Sequence, residues 1–199
     1  MKYKLIKTAF AILILALSSV INIASAALIT FEGIAPPGGA PNYNGPFTLD
    51  GFTFTPSHGH IADSAAGYND NGTDFYIHDS GSLMNIIKVG NGLFSFDSVD
   101  LAHWFVGSTF TYVVNVEGWN NGIMVATQAI NFNNVWQTAS MSAAFGRVDH
   151  ITLHNANGRA GYDNFVFDTA AQDVPEPSTL AIFALGLIGL SSRRFKKKS

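Results

Sequence analysis

The chain has 199 residues, a net charge of −3 and no cysteine, which excludes a disulfide scaffold, thiol catalysis, iron–sulfur clusters and thiolate zinc sites. Charge is segregated: eight of the eleven Lys and Arg lie in the two termini, while all fourteen Asp and Glu lie from Glu32 to Glu176. The body keeps only Lys88, Arg147 and Arg159 as cations, so it repels phosphate backbones and excludes nucleic acid binding.

Lys2, Lys4 and Lys7 precede an apolar stretch over residues 9–23 and then Ala24-Ser25-Ala26. A basic start, a short apolar segment and small residues at both required positions predict a secretory signal peptide over residues 1–26. Cleavage after Ala26 would leave Ala27 as the mature N-terminus, with signal peptidase as the processing enzyme.

No segment of the body carries a 3.6-residue apolar period over eleven or more positions, whereas alternation is plain. In residues 110–119, Phe110, Tyr112, Val114 and Val116 share one face, and Thr111, Val113, Asn115 and Glu117 the other. Similar stretches at 27–31, 47–55, 75–78, 83–89, 93–96, 99–106, 123–132, 148–153 and 165–167 predict about nine or ten short strands. Five Asn-Gly pairs, at Asn44, Asn71, Asn91, Asn121 and Asn157, supply residues that tolerate the left-handed conformation of a hairpin turn. The apolar phase changes between Phe96 and Val99, which predicts a bulge or short turn at Asp97-Ser98. Many short strands over one core predict an all-β, antiparallel two-sheet sandwich, jelly-roll-like, at 27–169, with a linker at 170–174.

The chain then changes character. Pro175-Glu176-Pro177 holds an extended peptide, because neither proline suits a helix interior or a central strand. An apolar run at 180–190 follows, with its flanks about 14 residues or roughly 21 Å of helix, short against a hydrocarbon core of about 30 Å. Arg193, Arg194, Lys196, Lys197 and Lys198 would remain cytoplasmic and leave the body across the membrane. An ordinary anchor helix would also fit the apolar run.

The order of these three parts over residues 175–199 resembles the PEP-CTERM sorting signal of Gram-negative bacteria, which is read by an exosortase. The resemblance implies processing near Pro175–Pro177 and a transient inner-membrane anchor. The mature protein would then pass to the cell envelope, cell surface or an extracellular polysaccharide matrix such as a biofilm. The body is similar to the lectin-like sandwiches of many PEP-CTERM proteins in three short stretches. These are residues 29–33 (ITFEG), 94–101 (FSFDSVDL) and 161–167 (GYDNFVF).

Asp163 shares strand parity with Phe165 and Phe167, so it is expected to point inward with them, where an unpaired charge is very costly. In carbohydrate-binding jelly rolls of similar pattern an acid from the first strand and one from the last hold a structural calcium, and the resemblance places Glu32 and Asp163 there. A capping role for Asp163 and a solvated Glu32 are the alternative. Residues 63–74 form an oxygen-rich loop that only partly suggests an EF-hand, because the alternate acids and the terminal Glu are missing. His58 with His60, and His150 with His154, could each share a face, yet no His-Glu-x-x-His appears and solvated imidazoles are the simpler expectation.

No Gly-x-Ser-x-Gly elbow is present, and the acids are scattered among turns, so no residue is expected to be catalytic. Trp119, on the parity of Asn115 and Glu117 and beside the Asn121-Gly122 turn, is the candidate ligand-binding ring. A carbohydrate-binding module, a structural matrix or adhesion protein, and a secreted hydrolase remain the three function classes.

Overall fold

The computed structural model describes residues 25–155 and 157–169. Most of the predicted signal peptide with Ala24, the linker, the Pro175-Glu176-Pro177 motif, the apolar run and the basic tail lie outside them. The described strands are β1 (Ser25–Ile29), β2 (Phe47–Leu49), β3 (Phe52–Pro56), β4 (Gly59–Ala62), β5 (Phe75–His78) and β6 (Leu83–Lys88). They continue with β7 (Ser95–His103), β8 (Tyr112–Asn120), β9 (Ile123–Phe132), β10 (Gln137–Ser140), β11 (His150–Asn155) and β12 (Ala160–Thr169).

Two six-stranded antiparallel sheets result. The first runs β10-β7-β12-β5-β4, with β1 also on β12, and the second runs β2-β3-β6-β11-β8-β9. Period-2 alternation fills the space between them with one face of each strand, so Phe52 and Phe54 meet Phe165 and Phe167 across the sandwich. The Phe52 and Phe167 rings stack with centroids 4.3 Å apart, and Phe165 also contacts Phe31 and Phe96. A second, smaller apolar cluster of Ala62, Phe75 and Ile77 lies beneath Tyr68, Trp104 and Trp136.

The expected strand over 47–55 is two strands, because Asp50 and Gly51 both take positive φ (47° and 82°) and turn the chain back. The stretches at 93–96 and 99–106 contribute to one strand, β7. Its pairing with β12 skips a residue between Phe96 and Ser98, which is the bulge expected at Asp97-Ser98. Of the five Asn-Gly pairs, Asn121-Gly122 (φ 52° and 74°) closes a two-residue hairpin between β8 and β9. Asn91 and Asn157 instead mark places where the chain crosses from the second sheet to the first.

Asp163 departs from its expected parity. Asn164 takes φ 50° and forms a bulge in β12 opposite Asp100 and Ser98, so the side-chain phase reverses there. Tyr162 and Phe165 both face the main core, while Asp163 is buried on the other side of the sheet.

His78, fully buried on β5, lies between the Tyr76 and Tyr162 rings at centroid distances of 6.2 and 6.0 Å. Burial lowers its pKa from 6.5 to about 4, outweighing the opposing pull of the Leu83 backbone and of Asp79. The unfolded chain therefore binds the proton first. Stability from the neutral ring is complete above pH 6.5 and is lost as pH falls toward 4, by about 3 kcal/mol. Denaturant titrations at pH 7 and pH 4 are expected to show that much more acid loss in the wild type than in His78→Phe.

Candidate functional site

β11 lies between β6 and β8, and their registers set the open face of the second sheet. His150 pairs with Ile87 on one side and Trp119 on the other, and Thr152 pairs with Asn85 and Glu117. Extending the register to β3 and β9 gives two adjacent rows across five strands. One row is polar: Thr55, Asn85, Thr152, Glu117 and Thr127. The other is Thr53, Ile87, His150, Trp119 and Met124.

Trp119 is half-buried and on the parity of Asn115 and Glu117, as its sequence position implies. Its ring is parallel to that of His150 (7°), with centroids 5.6 Å apart, so the two form one rigid block. Asp149 fixes that block from the side. Its Oδ1 lies 2.8 Å from His150 Nδ1, and its Oδ2 accepts from Asn121 N in the β8–β9 hairpin. Burial pushes the Asp149 carboxyl upward, but the Asn121 N–H and His150 outweigh it and leave the pKa below the usual value. In the polar row Thr152 Oγ1 donates to Asn85 Oδ1 at 2.8 Å, which orients the amide.

Glu32 and Asp163 do converge on one segment. β1 pairs with β12, and the loop before β5 reaches both acids. Asp74 N donates to Glu32 Oε1 (3.2 Å), while Thr73 Oγ1 and Asn71 Nδ2 donate to Asp163 Oδ2 (each 2.8 Å). Asn164 N donates to Asp163 Oδ1 (2.8 Å), so both oxygens of this carboxylate, 1% exposed, are served by protein donors. Asp163 is thus satisfied by protein donors alone, while Glu32 is held through Oε1. Among the described residues no group of three or more His, Asp or Glu is placed to hold a metal.

The other sequence candidates separate. His58 is exposed, and His60 Nε2 lies 3.7 Å from Asp79 Oδ2. His150 and His154 share the outer face of β11, where His150 is committed to Trp119 and Asp149. Trp136 packs on Phe75, and Trp104 lies under Arg159, whose Cζ is 4.8 Å from the ring centroid. The polar partners Asn85 and Thr152 escaped the sequence reading, since their meeting depends on which strands become neighbours.

Chelation and substitution separate the two roles open to Asp163. EDTA is expected to leave the melting temperature unchanged. Asp163→Ala, which strips acceptors from Asn71, Thr73 and Asn164, is expected to cost about 2–4 kcal/mol in a denaturant titration.

No curated protein matches the chain. Several solved carbohydrate-binding modules are similar in fold at low identity. A family 29 module from Piromyces equi is 9% identical with a TM-score of 0.43, over 74% of this chain and 92% of that one. The family 32 module of C. perfringens NanJ, in complex with galactose, is 15% identical with a TM-score of 0.33, over 72% and 93%. A Clostridium thermocellum xylanase 10B structure, complexed with xylohexaose, is 16% identical with a TM-score of 0.38, over 72% of this chain and 28% of that one. Residues 173–197 match the model of the PEP-CTERM protein-sorting motif. The chain is thus a two-sheet antiparallel sandwich that carries a PEP-CTERM protein-sorting motif at its C-terminal end.

Proposed function

We propose that the protein is exported and sorted through its C-terminal motif to the cell envelope or extracellular matrix, where its sandwich binds polysaccharide without cleaving it. The doubled row on the second sheet carries the binding half of this reading. A sugar ring has an apolar C–H face and a rim of hydroxyls. A stripe holding Ile87, Trp119 and Met124 beside one holding Asn85, Thr152 and Glu117 offers both in parallel. Five strands about 4.8 Å apart make the rows about 19 Å long, a length suited to a short run of sugar units. The few cations of the body favour a neutral polymer over a polyanion.

Affinity electrophoresis in gels containing the cells' own exopolysaccharide tests this face. Trp119→Ala is expected to weaken retardation about tenfold. Retardation equal to the wild type would remove the platform from the binding surface.

The sorting half rests on the match at residues 173–197, with signal peptidase and exosortase as processing enzymes and the inner membrane as a transient stage. Fractionation of native cells with intact-mass measurement tests it. The wild type is expected outside the inner membrane and shortened near Pro177, whereas Glu176→Ala stays full-length in the membrane. Full-length protein in both strains would make the tail a permanent anchor.

One observation favours a second, structural reading. Phe105, Val106, Phe110 and Val135 are 56–70% exposed, and Asn134 Nδ2 ties two of their loops together by donating to Val106 O (2.7 Å). Such apolar side chains suit association between copies in a matrix. Sedimentation at rising concentration separates a monomer from an assembling protein.

A further inference from the structure

A separate cavity of about 350 Å³ opens where β5 and β12 meet the turns that leave the second sheet, lined by Ser57, His58, Asp79, Ser80, Ser82 and Arg159. It lies at the Asn155 end of β11, whereas Trp119 pairs with the His150 end. Five residue steps, about 17 Å, separate the two.

The cavity is built in advance of any ligand. Asn155, fully buried, donates from Nδ2 to His78 O (3.1 Å), Asp79 O (3.4 Å) and Gly158 O (2.7 Å). It therefore holds the peptide units beside both Asp79 and Arg159. Gly81 N donates to Asn155 O (2.7 Å), and Ser82 N and Oγ both donate to Asp79 O. Ser57 and Leu83 close the opposite wall through Ser57 N to Leu83 O (2.8 Å) and Leu83 N to Ser57 Oγ (2.9 Å). Gly158 takes φ 71°, and a Cβ there would sit 2.4 Å from the Tyr112 ring.

On the wall of this frame sits an ion pair, Asp79 with Arg159, and His60 Nε2 lies 3.7 Å from Asp79 Oδ2. Arg159 Nε lies 2.8 Å from Asp79 Oδ1, and the guanidinium rests on Trp104, so its position is fixed from two sides. An anion entering here meets Asp79, a cation meets Arg159, and an apolar group strips water from both. A neutral group with adjacent hydroxyls meets none of these penalties, because each hydroxyl both donates and accepts. We infer that the depression beside the Asp79–Arg159 ion pair binds the vicinal diol of a single neutral pyranose, such as the end of a glycan chain. The volume is at the small end of ligand pockets and suits one ring rather than a polymer segment.

The full chain, ¹⁵N-labelled in a sugar-free detergent such as lauryldimethylamine oxide, allows a direct test. Methyl α-D-mannopyranoside and methyl β-D-galactopyranoside, each carrying a cis diol, serve as probes. At least one of them is expected to shift the Arg159 Nε–H and the Asp79–Ser82 amides saturably at millimolar concentration. Asp79→Asn is expected to weaken this about tenfold. Ser80→Trp, at an exposed position on the cavity wall, fills the space and abolishes it. Trp119→Ala leaves it intact, so failure of the open-face reading and failure of this one are distinguishable. The inference falls if neither probe shifts these signals, if the shift survives Ser80→Trp, or if a dideoxy analogue lacking the diol shifts them equally.

Discussion

Asn155 stands at the last position of β11, where the chain is about to leave one sheet for the other. Its amide nitrogen serves three backbone carbonyls at once, two at the end of β5 and one just before β12. Buried carbonyls without donors are costly, and here a single side chain serves all three. The first and second sheets are joined at this end by that amide. An apolar residue of similar size would take this donor from His78 O and Gly158 O and leave Asp79 O to Ser82 alone, and the turns bearing Asp79 and Arg159 would lose their common support.

Much of the architecture was legible from alternation alone. β8 and β9 fall where apolar and polar residues alternate, and the Asp97 bulge was visible as a slip in that phase. Trp119 kept its expected parity because the irregularity between Gly118 and Trp119 places its extra residue, Val125, on β9 and not on β8. Asp163 did not, because Asn164 adopts a left-handed conformation in mid-strand, which an Asn in a strand allows but does not announce. The short strands β4 and β10 carry too few apolar residues to show a period, and they form because neighbouring strands offer unpaired edges. Both candidate binding surfaces depend on registers between distant segments, such as His150 with Trp119 or Asp79 with Arg159, and no local pattern encodes those.

The two surfaces differ in character. The open face is broad, with rings and amides in rows, whereas the site at the other end of β11 is an open depression lined by Ser57, Asp79, Ser80 and Arg159. A protein with both would grip a chain along its length with one and a terminus with the other. The acidic body discourages anionic polymers at either place.

The pairing of β1 with β12 sets Ser25 opposite Thr169 and Ala27 opposite Phe167. The bond between Ala26 and Ala27 therefore lies inside a hydrogen-bonded ladder in the folded sandwich. A protease takes its substrate as an extended, unpaired strand in its own cleft, so a cut at this bond has to come before β1 docks. Under the proposed export, loss of the leader precedes the pairing of β1 with β12.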